Sequence, residues 1–580
     1  MPDKKAVVAI LDEMGTLLEL RGANPFKARA FGNAARAVEG VTRDLGDLVA
    51  NGELQTVKGI GASIAAIITE LVTTGSAAEY RELREAVPAG LLDMLRIQGL
   101  GPKKVKAIHD TLGIDTLPDL EAAARGHRLA SLPGFGEKTE ENILKGIEAL
   151  RVRGDKSLYP KAEEAAAAVF ASLSAAKGVI RASVAGSLRR RKEVVGDIDI
   201  LLSARGADRA RLMEAFVRHP EVQSVAAHGD TKSSVVLKAG IPCDLRIVKD
   251  AEYPFALNYF TGSKEHNVAI RSRARDRGWS LNEYGFTPLA GGPRRGGKPP
   301  ACRDEESVYA ALGLAYVEPE LRESNGEIEA AAADALPDLV EEKDIRGTFH
   351  CHTTASDGVN TLEEMAEAAR ALGWEYLGIA DHSKAAAYAG GLSEERLRKQ
   401  GREIDALNAR LRKFRVFKGT ECDILPDGSL DWPDRVLAGL DFVVVSVHSA
   451  FRMTGAEMTR RIVRAVRNRH VTMLGHPTGR LLLAREGYPV DMIQVIDAAA
   501  DHGTMIEINA HPSRLDLDWR LCRYAKEKGV LVPINPDAHT AGGLRDVRYG
   551  VGVARKGWLG KKDVLNTRTL AAVEKLLERR

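Results

Sequence analysis

Two features are scarce in this 580-residue chain: paired cysteines and long apolar runs. The five cysteines, Cys243, Cys302, Cys351, Cys422 and Cys522, are scattered and make no C-x-x-C pair. That usage excludes a disulfide framework and fits free thiols in a reducing cytoplasm. No apolar stretch reaches the length of a bilayer span, and the opening "MPDKKAVVAILDEMG" breaks into charges too soon for a signal peptide. Net charge is also small, +3, while 44% hydrophobic and 28% charged residues are ordinary for globular chains. The length implies about three to five domains.

The charge is unevenly placed. Residues 1–150 hold 18 Lys+Arg against 21 Asp+Glu, whereas residues 151–300 hold 26 against 16. Within that basic region lies "AGSLRRRKEVVGDIDILLS" (185–203), where Asp197 and Asp199 flank one isoleucine of an apolar strand pattern. Alternate strand residues share a face, so the two carboxylates project side by side about 6.5–7 Å apart at Cα, with Ile198 and Ile200 turned to the core. A bare D-x-D is as often a strand-end turn with two solvated acids. Here Gly186-Ser187 adds a tight turn, a hydroxyl and backbone N–H groups suited to phosphate, and a divalent cation relieves the carboxylate repulsion. A basic field around an acidic centre favours a polyanion that is held and then attacked. Further on, "SSVVLKAGIPCDLRIV" predicts a hairpin turning at Ala239–Gly240. Its second strand would bring Asp244 beside the pair, enough for two ions flanking an in-line displacement.

Upstream, "VKGIGASIAAIITEL" (57–71), "IQGLGPKKVKAIHDTL" (97–112) and "LPGFGEKTEENILKGI" (132–147) each place two glycines around one apolar residue before a helical stretch. The pairs Gly59/Gly61, Gly99/Gly101 and Gly134/Gly136 free backbone N–H groups at helix starts, where phosphates bind without any side-chain charge. One such turn is weak evidence; three at similar spacing read as helix-hairpin-helix units gripping DNA backbone without sequence readout.

These motifs, followed by "NYFTGSKEHNVAIRSR" (258–273), resemble the family X DNA polymerases, the group of DNA polymerase beta, over roughly residues 1–322. The resemblance implies that Asp197, Asp199 and Asp244 hold two Mg²⁺ or Mn²⁺ ions and that Asp244 helps activate the primer 3′-hydroxyl. It implies dNTP contacts by Gly186, Ser187, Arg190, Gly196, Gly262 and Lys264, with Tyr259 and Phe260 against the sugar. Asn267 would reach the base edge, and Arg271 the template strand. Ile67 stands where the family's lyase members carry a nucleophilic lysine, and isoleucine cannot form a Schiff base. Deoxyribose-phosphate lyase activity by that route is not expected, Lys58 being the nearest substitute. Lys264 stands where polymerase beta has an acidic residue, a cation suited to holding nucleotide before DNA binds.

Beyond an Ala- and Glu-rich stretch (321–347), read as a linker without a core-forming face, the chain changes character. Nine of its fourteen histidines lie at or beyond His350. They recur at the ends of apolar runs, in "GTFHCHTTASDG", "YLGIADHS", "FVVVSVHS", "VTMLGHPTG" and "VLVPINPDAH", with helical patterns between most of them. Repeated strand–polar tip–helix units predict a β/α barrel whose site gathers at the strand C-termini. His350 and His352 share one strand face, and imidazole with carboxylate suits Zn²⁺, Mn²⁺ or Fe²⁺ better than Mg²⁺.

This part resembles the PHP (polymerase and histidinol phosphatase) domain. The resemblance implies a cluster of two or three such ions on His350, His352, Asp357, His382, Glu421, His448, His476, Asp537 and His539, with Glu421 bridging. It further implies phosphoester hydrolysis, with Asp381, His511 and Arg514 as supporting groups. Cys351 and Cys422 adjoin ligands, but strand alternation aims them away. The expected architecture is multidomain α+β and α/β. An N-terminal helical domain of the polymerase-beta type (1–90) precedes a fingers-like helical domain (91–152). A nucleotidyltransferase palm with a mixed sheet (153–258), a thumb-like domain (259–322), a linker (323–342) and a PHP domain with a distorted β/α barrel (343–580) follow. The expected activity is short-gap filling in DNA repair with 3′→5′ exonuclease, or abasic-site endonuclease, trimming. Gapped or nicked DNA and dNTPs are the partners, and a cytoplasmic, nucleoid-associated monomer without membrane contact is the setting. The alternative gives the last domain a phosphatase role on small phosphoesters, or a docking role.

Overall fold

The computed structural model describes residues 4–41, 45–57, 59–95, 97, 99–153, 156–289 and 300–578. The chain divides into two compact units, Met1–Gly154 and Asp155–Arg580.

The first unit is helical. Amphipathic helices Lys4–Leu20 and Pro25–Gly40 bury Leu11, Met14 and Phe31 against the apolar face of Ala62–Thr74, including Ile68 and Leu71. The glycine turns form as expected. Gly59, Gly99 and Gly134 adopt φ of +103°, +90° and +81°, and Gly61 and Gly101 cap helices Ala62–Thr74 and Pro102–Leu112. Gly136 sits just before Glu137–Arg153. Between the glycines, Ile60, Leu100 and Phe135 are buried and pin each turn, while a Cβ on Gly61, Gly101 or Gly136 would meet nothing within 4 Å. No neighbouring atom therefore crowds the second glycine of each turn. Ile67 is buried in the core, and Lys58 lies outside the described residues.

The second unit begins with a five-stranded mixed sheet in the order Val179–Val184, Ile198–Ala204, Pro242–Val248, Lys232–Leu237, Val222–His228. Ile198, Ile200 and Leu202 pack on helices Tyr159–Ser174 and Arg209–Val217. Leu201, on the opposite face, packs on helix Tyr253–Thr261. Alternation puts Asp199 on that second face. Helix Lys264–Asp276, hairpin Trp279–Asn282/Gly285–Pro288 and helix Glu305–Ala311 follow.

The stretch expected to lack a core-forming face is packed instead. Leu321, Arg322, Glu327, Ala331, Leu339 and Val340 are all buried. Two of these are charged and each is paired: Arg322 Nη1 lies 2.6 Å from Glu305 Oε1, and Glu327 Oε1 lies 2.7 Å from His266 Nδ1. Paired charges can enter a core, which a count of apolar residues does not register.

The rest is a barrel of short parallel strands. Gly347–Cys351, Tyr376–Ile379 and Arg415–Lys418 form one ladder. Glu421–Asp423, Val444–Ser446, Met473–Leu474 and Met505–Ile506 form a second, and Ile508–Asn509 with Ile534–Asn535 a third. Parallel bridges His382–Glu421 and Cys351–Ala538 join the first ladder to the second and the last strand to the first. Cys351 and Cys422 are buried in apolar clusters. Among the described residues no helix is long and apolar enough to cross a membrane.

Candidate active sites

Strand register assembles the first site. Ile198–Ala204 runs parallel to Pro242–Val248 with Asp199 directly opposite Asp244, and Asp197 stands one residue before its strand. Burial, then the charges of Asp197 and Asp244, push the Asp199 carboxyl up to about 6. Lys232 Nζ, from the neighbouring antiparallel strand, lies 2.6 Å from Asp244 Oδ2.

Gly186 has φ +65°, and a Cβ there would lie 2.2 Å from Asp199 Oδ2. Glycine is thus required for the turn to reach the carboxylate. Beside it the Ser187 hydroxyl is buried and has no hydrogen-bond partner among the described residues. An orphaned buried hydroxyl and a carboxylate short of countercharge fit a divalent cation with phosphate. Gly196, half-buried, leads into Asp197.

The other expected nucleotide contacts gather around the end of helix Tyr253–Thr261. Tyr259 and Phe260 meet edge to face at 5.2 Å, with the Arg246 guanidinium 4.3 Å above the Phe260 ring. Asn267 Nδ2 donates to the Tyr259 carbonyl at 2.7 Å, and Tyr259, Asn267 and Arg271 line one narrow cleft. Lys264 is exposed at the start of its helix. Arg190 donates to the Thr261 carbonyl beside Gly262, and its Nε lies 3.0 Å from Glu323 Oε1. That ion pair was not foreseen.

The second site is built around one carboxylate. Glu421 Oε1 lies 3.2 Å from His350 Nε2, 3.2 Å from His448 Nε2 and 3.0 Å from His476 Nε2. Its Oε2 lies 2.9 Å from His382 Nδ1 and 3.8 Å from His352 Nε2. Asp537 Oδ1 lies 3.1 Å from His352 Nε2, while Asp357 stands 3.6 Å from His382 and 3.4 Å from His539. All nine expected ligands fall into four overlapping groups whose ligand atoms lie within 4.8 Å of one another. Among the described residues only this cluster is drawn so tightly; the three aspartates of the sheet are not.

The electrostatics follow from the crowding of carboxylates and imidazoles. Burial opposes charge on His382, yet Glu421 and Asp357 outweigh it and push the imidazole up to about 11. Burial and the neighbouring His539 and His382 push His352 down to about 4, into the neutral form that ligates metals. Buried His350 Nε2, His352 Nδ1, His382 Nδ1 and Glu421 Oε2 have no hydrogen-bond partner despite their crowding. Buried ligand atoms crowded together without a hydrogen-bond partner of their own fit metal ions. His350, His476 and Asp537 hold positive φ of 54°, 22° and 52°, sparsely populated conformations that persist where function requires them.

Two residues of this site went unrecognised in the sequence. Glu507 Oε2 takes His350 Nδ1 at 2.7 Å, and Asp423 Oδ1 takes His448 Nδ1 at 2.8 Å. Each fixes the tautomer that aims the other ring nitrogen inward. Their only signal was a carboxylate inside an apolar strand, in "TMIEIN" and "ECDI". Of the supporting groups, Arg514 Nε lies 3.6 Å from Asp537 Oδ2, and His511 Nδ1 pairs with Ser513. Asp381 instead pins a loop: it accepts from Thr353 N at 2.8 Å and Thr353 Oγ1 at 2.7 Å.

Five family models match the chain. They are a helix-hairpin-helix domain (2–77), a SAM-like helix-hairpin-helix tandem (91–149), the DNA polymerase beta palm (160–237), the DNA polymerase beta thumb (256–323) and the PHP domain (348–511). The chain is 39% identical over 578 residues to the Bacillus subtilis (strain 168) protein named DNA polymerase/3′-5′ exonuclease PolX, covering 99% of each chain. Two shorter relatives, from Caldicellulosiruptor saccharolyticus and Acetivibrio thermocellus, are each named "Probable phosphatase". Each is 31% identical, over 200 and 202 residues, covering 33% of this chain and 78% of the relative. With palm, thumb and PHP matches in this order and identity along nearly its whole length, the chain belongs to the family X DNA polymerases that carry a PHP domain.

Proposed function

We propose that this chain is a DNA-directed DNA polymerase that fills short gaps during repair, and that its PHP domain is a metal-dependent 3′→5′ exonuclease. The first half rests above all on the register pair Asp199–Asp244 with Asp197 alongside and an unpartnered Ser187 hydroxyl next to them. The three aspartates hold two Mg²⁺ or Mn²⁺ ions, and Asp244 assists removal of the primer hydroxyl proton. Ser187, Arg190 and Lys264 bind the triphosphate between Gly186, Gly196 and Gly262. Tyr259 and Phe260 cover the sugar, Asn267 reads the base edge and Arg271 touches the template. The glycine turns hold DNA backbone independently of sequence.

In the PHP domain the nine ligands, Glu421 central among them, hold two or three Zn²⁺, Mn²⁺ or Fe²⁺ ions. Bound at either site, such ions neutralise phosphate charge and lower the pKa of coordinated water or hydroxyl. Arg514 places a cation beside the cluster for the scissile phosphate. DNA is the substrate because the same chain extends it, and a monomer acting on DNA in the cytoplasm completes the reading. A second reading, favoured by the relatives named as phosphatases, gives the domain small phosphoesters instead.

A labelled primer on gapped DNA, run with and without dNTPs and Mn²⁺, tests both halves. Asp199→Ala abolishes extension and spares shortening; His352→Ala does the reverse. Joint loss in either variant refutes the division into two sites. Phosphate release from small phosphoesters without primer shortening refutes the exonuclease.

A further inference from the structure

The basic run Arg189–Lys192 does not stand open as a field for a polyanion. Arg189 Nη2 lies 2.5 Å from Glu305 Oε2, Arg190 Nε 3.0 Å from Glu323 Oε1, Arg191 Nε 3.5 Å from Glu320 Oε1 and Lys192 Nζ 3.9 Å from Glu323 Oε2. Two of these acids meet a further cation from helix Val547–Lys556 of the PHP domain. Arg555 Nε reaches Glu320 Oε1 at 2.7 Å, and Lys556 Nζ reaches Glu323 Oε1 at 2.7 Å. One carboxylate oxygen of Glu323 thus joins Arg190 of the polymerase to Lys556 of the hydrolase.

Lys556 is only 1% exposed, its ammonium 5.3 Å from the centre of the Trp519 ring, and its Nζ also lies 3.4 Å from the Glu320 carbonyl. The packing is close on this side: a Cβ at Gly552 of the same helix would stand 3.0 Å from Arg191 Cδ. On the other side Arg190 Nη1 donates to the Thr261 carbonyl. Its Nη2 has no hydrogen-bond partner among the described residues.

We infer that Lys556 is a positioning residue for nucleotide binding that acts by offsetting the charge of Glu323, so that the PHP domain sets how freely Arg190 engages the incoming triphosphate. This rests on the reading of Arg190 as a triphosphate contact. Glu323 orients the guanidinium through Nε. Lys556 offsets the Glu323 charge, leaving Arg190 free to direct Nη2 and its charge to the phosphates. Without Lys556 the buried carboxylate has only Arg190 and Lys192 to answer it, and it competes directly with the triphosphate.

Steady-state extension by the full-length protein, with dNTP varied, tests this. Lys556→Met raises KM for dNTP about tenfold, with kcat and primer shortening close to wild type, and Lys556→Arg keeps the wild-type KM. Glu323→Gln, and Glu323→Gln combined with Lys556→Met, leave KM at or below wild type because the competing charge is gone. An unchanged KM in Lys556→Met overturns the inference, as does a raised KM in either Glu323→Gln protein, which would mark a purely structural dock. Should Lys556→Met fail to fold, the Glu323→Gln result decides alone. Unchanged KM in Arg190→Ala overturns the reading of Arg190 itself, a separate outcome.

Discussion

Substituting Gly186 with alanine adds a single methyl group, yet the structure predicts a selective loss of polymerase activity. The new Cβ would stand 2.2 Å from Asp199 Oδ2, where real contacts do not fall below 3.0 Å. The carboxylate must retreat by at least about 0.8 Å. Its backbone cannot follow, because the Asp199 carbonyl accepts from Ala185 N at 2.8 Å and its strand is paired on both sides. The displacement therefore falls on the side chain that stands opposite Asp244, where the proposed metal site lies. A misplacement near 1 Å costs on the order of 10²-fold in rate. The φ of +65° adds about 1–2 kcal/mol of backbone strain, a loss of no more than a few degrees in Tm for a unit of this size. The assay is single-nucleotide extension on gapped DNA beside primer shortening and thermal unfolding. Extension about a hundredfold slower with shortening intact is the expected result. Wild-type extension, or equal loss of both activities, refutes the reasoning.

Three further outcomes are expected. Asp199 is pushed from 3.8 up to about 6 in the folded chain. Folded protein therefore holds the proton more tightly than unfolded protein, and stability falls as pH rises from about 4 to 6. Metal-free Asp199→Asn should be more stable than wild type by about 2–3 kcal/mol above pH 6, with the gap narrowing toward pH 4. Equal denaturation midpoints at pH 8 would contradict this. Glu507→Gln should weaken metal retention by the PHP domain about 10- to 100-fold, since it loses the partner of His350 Nδ1, while extension continues; metal analysis after dialysis decides, and wild-type retention refutes it. Lys264→Ala should weaken dNTP binding in the absence of DNA several-fold, less so at high salt because the lysine is exposed. Equal affinity by titration would remove its role.

Much of this molecule was legible because its chemistry is local. Three G-x-G turns, D-x-D and histidines at strand ends are short patterns whose backbone requirement and residue type coincide, so one segment suffices to read each. The nine expected PHP ligands come from six separate segments, yet each segment announced itself by ending an apolar run in a polar tip. Glu507 and Asp423 escaped because their role lies in what they touch: a carboxylate on a strand looks the same whether it faces water or a histidine 2.7 Å or 2.8 Å away.

What the sequence by itself determined, then, is the set of local elements and the residue types able to hold cations, since turn geometry and strand alternation act over a few residues. Only the tertiary structure decided that Asp199 faces Asp244 and that the Ala- and Glu-rich connection is packed. It alone turned Arg189, Arg190 and Arg191 toward Glu305, Glu323 and Glu320 rather than leaving them to solvent. Charge pairing between Arg190 and Glu323 spans 133 positions of chain. No local pattern encodes such a contact, because whether a charge is buried and paired depends on which surfaces the fold brings together.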